Sequence, residues 1–284
     1  IGVLDFMSVY SVSASIVVYK SPMEEIENII SKLQKSSFKI RIYIIDNYPG
    51  GSFSTEFFHG DVIYIASENV GYGAGHNKAI KEVISNNGFH FVLNPDIDFD
   101  YLVVERMIKK MIDNPSYSLV GPRLVGSDGA EQCNTKLIPA PLNFLLRRLP
   151  AIFSNSLFSG YMSKFEMNDH DKNQPLFVPY LSGCFMLFRN SSLCSVGKFD
   201  EKFFMYPEDV DISRRFFELG DVLFLPEFEV IHHWEGASRK SLRMFLIHVF
   251  NMALYFNKWG WVFDRNRKDL NQRVITLNLP NKLL

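Results

Sequence analysis

The sequence predicts an α/β fold, a mixed and mostly parallel central sheet flanked by helices. Three observations predict it. Across the first third, β-branched apolar runs alternate with amphipathic segments in the order β-α-β-β-α-β-α, which implies helices on both faces of a sheet. Asp46, the Asn69–Asn77 turn and the Asp96/Asp98 pair each follow a strand end, where open α/β sheets bind their ligands. The chain has 284 residues, 47% apolar and 21% charged, enough for a large core and unlike a disordered chain.

The elements follow in order. Ser11–Tyr19 (SVSASIVVY) is a buried strand by its β-branched content. Ser21-Pro22 opens a helix, with Glu24 and Glu25 in its first turn, that runs to about Lys35. Lys39–Ile45 and Val62–Ala66 are strands, separated by the Pro49-Gly50-Gly51 loop. The glycine turn leads into a helix ending near Asn87-Gly88; Phe89–Leu93 is a strand and Tyr101–Ile112 a helix. Pro139–Phe165, Leu/Phe-rich and carrying Arg147 and Arg148, reads as short amphipathic helices or a mobile insertion. Pro179–Arg189 reads as a buried strand, Glu208–Leu219 as a helix closed by Gly220, and Val222–Leu225 and Glu229–His233 as short strands. Residues 1–10 form an extension with Met7 as a candidate start, 11–237 the main domain, and 238–284 a basic helical tail.

A net charge of −1 argues against a protein that coats nucleic acid by bulk charge. The 26 Phe and 12 Tyr suit an amphiphilic substrate or a membrane surface. Cys133, Cys184 and Cys194 form neither a disulfide framework nor a zinc motif, consistent with a reducing compartment. No signal-type opening and no uninterrupted apolar stretch of membrane-spanning length, about 20 residues, is visible.

Four constellations carry chemistry. Asp96 and Asp98, beside Pro95, could share a divalent cation, Mg²⁺ or Mn²⁺, on a diphosphate; alternatively they are a solvated, helix-capping turn. Glu208-Asp209 opens a helix behind Phe203-Phe204-Met205-Tyr206-Pro207. That setting either complements the dipole or desolvates a carboxylate into a general base. Asn69–Asn77 (NVGYGAGHN) is G-x-G-x-G without a P-loop ending, so its glycines serve close backbone approach or helix packing. His232-His233 could supply a metal ligand or a core histidine.

Taken in order, these segments resemble family 2 glycosyltransferases of the GT-A fold, particularly their bacterial rhamnosyltransferase branch. The resemblance is carried by SIVVY with IIDN (44–47), ENVGYGAGHN (68–77), LNPDID (93–98), GPRL (121–124), SGCFMLFR (182–189), GKFDEKFFMYPEDVDISRR (197–215) and HHWEGAS (232–238). It implies that Val18, Tyr19 and Asp46 line the nucleotide pocket, and that Asn69, Gly71, Gly75, Asn77, Asp96 and Arg123 contact the donor. Asp96, Asp98 and His232 would hold the cation, with His232 preferred over His233. Asp209, with Glu208 beside it, would be the general base of an inverting transfer, and Gly183 and Tyr206 would face the acceptor. Arg214 or Arg215 would contact phosphate or buttress the helix. The implied donor is a nucleotide sugar, dTDP-L-rhamnose first and UDP-hexoses or UDP-N-acetyl sugars as alternatives. The acceptor would be a glycan or polyprenyl-diphosphate-linked glycan at the inner face of the bacterial membrane. A sugar nucleotidyltransferase, a silent binding module and a membrane scaffold are the rival readings.

Between Ser238 and Arg273 stand eight basic and two acidic residues, so a +6 segment is joined to a −7 remainder. His248, Asn251, Tyr255 and Lys258 form a narrow polar stripe on an otherwise apolar helix. Two readings stay open: a core-packed helix, or an interfacial helix on an anionic membrane.

Overall fold

A computed structural model describes residues 10–54, 58–147, 158–233, 241–264 and 266–279. The N-terminal extension, Arg148 and the Trp234–Ser238 part of the last motif lie outside them. The strands are β1 (Ser11–Val18), β2 (Ile40–Asp46), β3 (Val62–Ala66), β4 (Gly88–Leu93), β5 (Ile97–Asp98), β6 (Tyr117–Val125), β7 (Leu176–Phe177), β8 (Phe185–Arg189) and β9 (Asp221–His232). They form one sheet in the order β3-β2-β1-β4-β8-β6-β9-β5, with β7 also pairing β9. The β3-β2-β1-β4 part and the β6/β9 pair are parallel; β8 runs antiparallel to both β4 and β6.

Helices cover both faces. Phe89, Phe91 and Leu93 alternate along β4 onto one face, where α1 (Met23–Gln34) and α3 (Tyr101–Asp113) supply Ile26, Ile29, Leu33, Val104 and Met107. On the other face α2 (Tyr72–Val83), α6 (Asn190–Val196) and α7 (Glu208–Leu219) supply Ile80, Leu193, Ile212 and Phe216. The short helices α4 (Pro141–Leu146) and α5 (Ser159–Phe165) stand where the insertion is expected.

Two expectations are corrected. The Pro179–Arg189 strand shrinks to β8, because 180–183 leaves the ladder to wrap the start of α7. The two short strands merge into β9, whose register with β6 slips between Pro122 and Arg123, opposite Leu225 and Glu229. Beyond them, α8 (Leu242–Trp259) and α9 (Arg267–Leu277) are packed helices: Leu270 and Val274 belong to the same core as the sheet.

The polar stripe of α8 faces inward. Asn251 is buried and its Oδ1 accepts the Phe204 N–H, His248 stacks on Tyr206, and Lys258 pairs with Asp200 and Asp211. Met252, Tyr255 and Phe256 fill the space against Phe203 and Val210.

Candidate active site

The peptide Gly183–Cys184, just before β8, ties the two acidic motifs together. On one side the Gly183 N–H donates to Asp209 Oδ2 at 3.1 Å; on the other the Cys184 carbonyl accepts the Asn94 N–H at 2.9 Å. Asp209 is therefore held at the N-terminus of α7, one short step from the loop that carries Asp96. Its Oδ1 takes the Val210 N–H at 2.8 Å, and Tyr180 OH donates to Oδ2 at 3.4 Å. Burial pushes the Asp209 carboxyl up to about 6; the N–H donors of Gly183 and Val210, the charge of Lys136 and the Tyr180 hydroxyl restrain the rise. Glu208 is buried with Oε2 lacking any partner, and burial together with the Asp209 charge raises its carboxyl well above the usual range. Two adjacent carboxyls in one buried site thus compete for charge, and Glu208 is pushed the further from ionisation.

A side chain at Gly183 would be a tight fit: a Cβ there would lie 3.2 Å from Asp209 Cβ and 3.5 Å from the Tyr72 ring. Tyr72, half-buried at the start of α2, donates its hydroxyl to the Gly183 carbonyl at 2.7 Å. Burial first, then the nearby charges of Cys184, Glu208, Asp96 and Asp209, drives its phenol well above the ordinary tyrosine range. One phenol therefore senses both acidic motifs.

At the Asp96 end, His232 Nε2 lies 3.6 Å from Asp96 Oδ1, a buried oxygen without a hydrogen-bond partner. His232 Nδ1–H donates to Gln132 Oε1 at 2.8 Å, and Gln132 Nε2 donates to the His232 carbonyl at 2.9 Å. This clamp turns Nε2 toward Asp96 and the Asn94 amide, the latter 3.4 Å away. Although burial pushes Asp96 up, the His232 ring and Asn94 bring its carboxyl below the usual range. An orphaned carboxylate oxygen beside an oriented imidazole fits a divalent cation that keeps several waters and diphosphate oxygens in its shell. Among the described residues no set of three His, Cys, Asp or Glu converges as a complete cage. His233 turns elsewhere, its Nδ1 2.7 Å from Ser127 Oγ.

Several expected contacts take other roles. Asp98 is paired with Lys32 and accepts from Asn28, both on α1, which ties it to that helix. Arg123 donates Nη2 to the Lys172 carbonyl and to Asn173, pinning that loop. Asn77 is buried and clamps the Phe199 backbone in both directions, and Gly75 packs α2 on Val17; neither faces a ligand. Val18 is a core side chain, whereas exposed Tyr19 stands edge-on to Tyr48, 5.7 Å apart, as an aromatic wall. Asp46 is fully buried, accepting from the N–H groups of Tyr48 and Ser52 and from Tyr64 OH at 2.8 Å, and so shapes the loop beside that wall. Asn69, exposed, accepts the Gly71 N–H in a local turn. Gly71 itself has φ +93° and would drive a side chain into the Phe204 carbonyl, which accepts the Tyr72 N–H at 2.9 Å. Tyr206, also at positive φ, lies against His248 with ring centroids 4.4 Å apart. Arg214 and Arg215 both buttress: the first pairs with Asp264, the second with Asp211 and three carbonyls. The sequence reading missed Lys136, Tyr180, Tyr72, Asn94 and Gln132. Only Asn94 carried a local signal, an oxygen donor two positions before Asp96.

The sheet and the paired acidic motifs define the class: this is a GT-A glycosyltransferase fold. Solved structures agree, among them GalNAc-T7 with UDP, GalNAc and Mn²⁺ (TM-score 0.57, 13% identity, 80% of this chain and 45% of that one). The sequence is similar to rhamnosyl- and hexosyltransferases. It is 26% identical over 178 residues to the N-acetylglucosaminyl-diphospho-decaprenol L-rhamnosyltransferase of Mycobacterium tuberculosis (strain ATCC 25618 / H37Rv), covering 58% of this chain. It is 26% identical over 206 residues to the low-salt glycan biosynthesis hexosyltransferase Agl10 of Haloferax volcanii, covering 72% of this chain. The matches span 56% and 60% of those two relatives. No protein-family model matches the chain.

Proposed function

We propose that this chain is an inverting glycosyltransferase that moves a sugar, L-rhamnose from dTDP-L-rhamnose by preference, onto a hydroxyl of a lipid-linked glycan. One observation carries the reading: a half-buried Asp209, ionising near neutrality, is tied through Gly183–Cys184 to the Asn94–Asp96–His232 group. The similarity to a rhamnosyltransferase named for a decaprenol-diphosphate acceptor supports the donor and acceptor classes. The reading puts the enzyme on the cytoplasmic side of a bacterial membrane, where both substrates meet.

In the mechanism, Asp209 accepts the proton of the acceptor hydroxyl as that oxygen attacks the anomeric carbon from the face opposite the diphosphate. The Gly183 and Val210 N–H groups hold the carboxylate in line, and the apolar surround keeps its basicity high. Asp96 and His232 would hold the divalent cation, which neutralises charge developing on the leaving diphosphate. Tyr19 and Tyr48 offer a stacking wall for the nucleotide base.

Asp209→Asn keeps the shape and removes the basicity. Transfer should fall by about 10²–10⁴-fold with donor affinity, read by calorimetry, unchanged. Full turnover by this variant would overturn the assignment of the base.

A further inference from the structure

We propose that the outward face of α8 and the turn after it form a docking surface for an anionic lipid bilayer. This deepens the reading of a lipid-linked acceptor and rests on it for its purpose, although binding itself needs no turnover.

The argument begins with the inward polar stripe. Because Asn251, Tyr255 and Lys258 are spent on the catalytic body, the side of α8 left in water is apolar. Leu242, Leu246 and Phe250 recur at four-residue spacing on that side, with Leu246 57% and Phe250 65% exposed. The turn continues the surface with Val262 and Phe263, the latter 92% exposed. A stripe of this kind costs free energy in water unless something covers it.

Charge selects the occupant. From Leu242 to Phe263 the sequence holds no acidic residue, and Arg243 at its start is exposed; beyond its end the exposed charges among the described residues are the Lys268–Asp269 pair. Asp264, the next acid along, is buried against Arg214. A second copy docked face to face would bring no carboxylate between residues 242 and 263 to pair with Arg243. An anionic headgroup layer instead matches Arg243 while the acyl boundary receives Leu246, Phe250 and Phe263. No described helix is long and apolar enough to cross a membrane, so the helix lies on the surface. Lys258 and Trp259 join this same helix to Asp211, one turn into the helix that Asp209 opens. The surface is thus rigidly coupled to the proposed base.

The test is co-sedimentation of the full chain with phosphatidylglycerol–phosphatidylcholine vesicles and with pure phosphatidylcholine vesicles. Binding should favour the anionic vesicles, weaken with salt, and fall about tenfold or more in Leu246→Asp/Phe250→Asp and in Val262→Asp/Phe263→Asp. Arg243→Glu/Lys268→Glu should erase the anionic preference. Circular dichroism and turnover on a water-soluble acceptor should match the parent, which separates lost docking from lost folding or lost activity. Absence of vesicle binding by the parent, or equal binding by the aspartate variants, overturns the proposal. So does a concentration-dependent dimer that these variants dissolve, since it would make a second copy the occupant.

Discussion

Lys136 holds its ammonium 4.9 Å from the centre of the Tyr180 ring, and the Tyr180 hydroxyl reaches Asp209 Oδ2. Lys136 is buried and has no carboxylate partner among the described residues; its Nζ donates to the Cys133 carbonyl at 2.7 Å. A buried cation so placed favours the ionised form of Asp209.

The first prediction follows from that sign. Asp209 must be unprotonated to act, so kcat/KM should rise with pH through about 6. Lys136→Met removes a charge that lowers the Asp209 pKa, so the acid limb should move to higher pH. Activity at pH 6 should drop about three- to tenfold while the alkaline plateau changes less. Lys136→Arg should restore much of the profile. Uniform loss at every pH would show that Lys136 supports the fold instead.

Cation dependence should separate Asp96 from Asp98. Asp96→Asn and His232→Ala should greatly raise the Mn²⁺ concentration needed for half-maximal activity. Gln132→Ala, which frees the imidazole to rotate, should raise it about 10–100-fold. Asp98→Asn should leave it unchanged and cost at most about 1 kcal/mol of stability, since its pair with Lys32 is partly exposed. A shift with Asp98→Asn equal to that with Asp96→Asn would restore Asp98 to the metal site.

That contrast shows what was legible in the sequence. Periodicity and caps placed β3 and α7 at their observed bounds, because Val62–Ala66 and Glu208–Leu219 each agree locally with the fold. Asp209 stands out in the sequence as a candidate base because the acidic pair lies at a helix start behind aromatics. The tie of Asp98 to α1 was not legible, because Asp-x-Asp spacing says nothing of Lys32, 66 positions earlier, which pairs with it. Asn77 and Gly75 looked like ligand contacts for the same reason: the backbone and side chain that occupy them, Phe199 and Val17, come from distant segments. Gln132 and Lys136 carried no local signal, since a lone amide or lysine gains meaning only from its neighbours in space. The polar stripe on α8 was correctly located, but only the packing decides that it faces the body.

The tail should act as part of the catalytic body. Arg214 is 1% exposed, makes two 2.6 Å bonds to Asp264, and stacks 3.9 Å from the Trp259 ring centre. Removing one partner leaves Arg214 with only Glu218, at 3.6 Å, as an acidic partner among the described residues, or Asp264 with only the Asn266 and Arg267 N–H groups, so Arg214→Met or Asp264→Asn should each cost about 3 kcal/mol in chemical denaturation. The double variant Arg214→Met/Asp264→Leu should cost less than the sum. Burial pushes Asp264 up, but Arg214 holds its folded pKa below the ordinary aspartate value. Its stabilisation is therefore present above the unfolded pKa and lost as pH falls through the lower, folded one. Acid unfolding of the parent should be steeper at that end than that of the double variant.

Glycine substitutions should divide positioning from packing. Gly75→Ala places a methyl 2.8 Å from Val17 Cγ2, far from any reacting atom, and should lower the melting temperature with kcat nearly unchanged. Gly71→Ala forces a side chain into positive φ and into the Phe204 carbonyl, costing about 1–3 kcal/mol and loosening the turn beside the donor. Gly183→Ala differs from both. Its methyl would sit 3.2 Å from Asp209 Cβ, a contact relieved by a shift of a few tenths of an ångström in the carboxylate. Stability should change little, whereas kcat should fall about tenfold, because small misplacements of a reacting group are costly. The measurement is kcat beside the melting temperature for all three variants. A Gly183→Ala enzyme with normal kcat would mean that Asp209 needs no such alignment, and the contact between these two residues would then be packing alone.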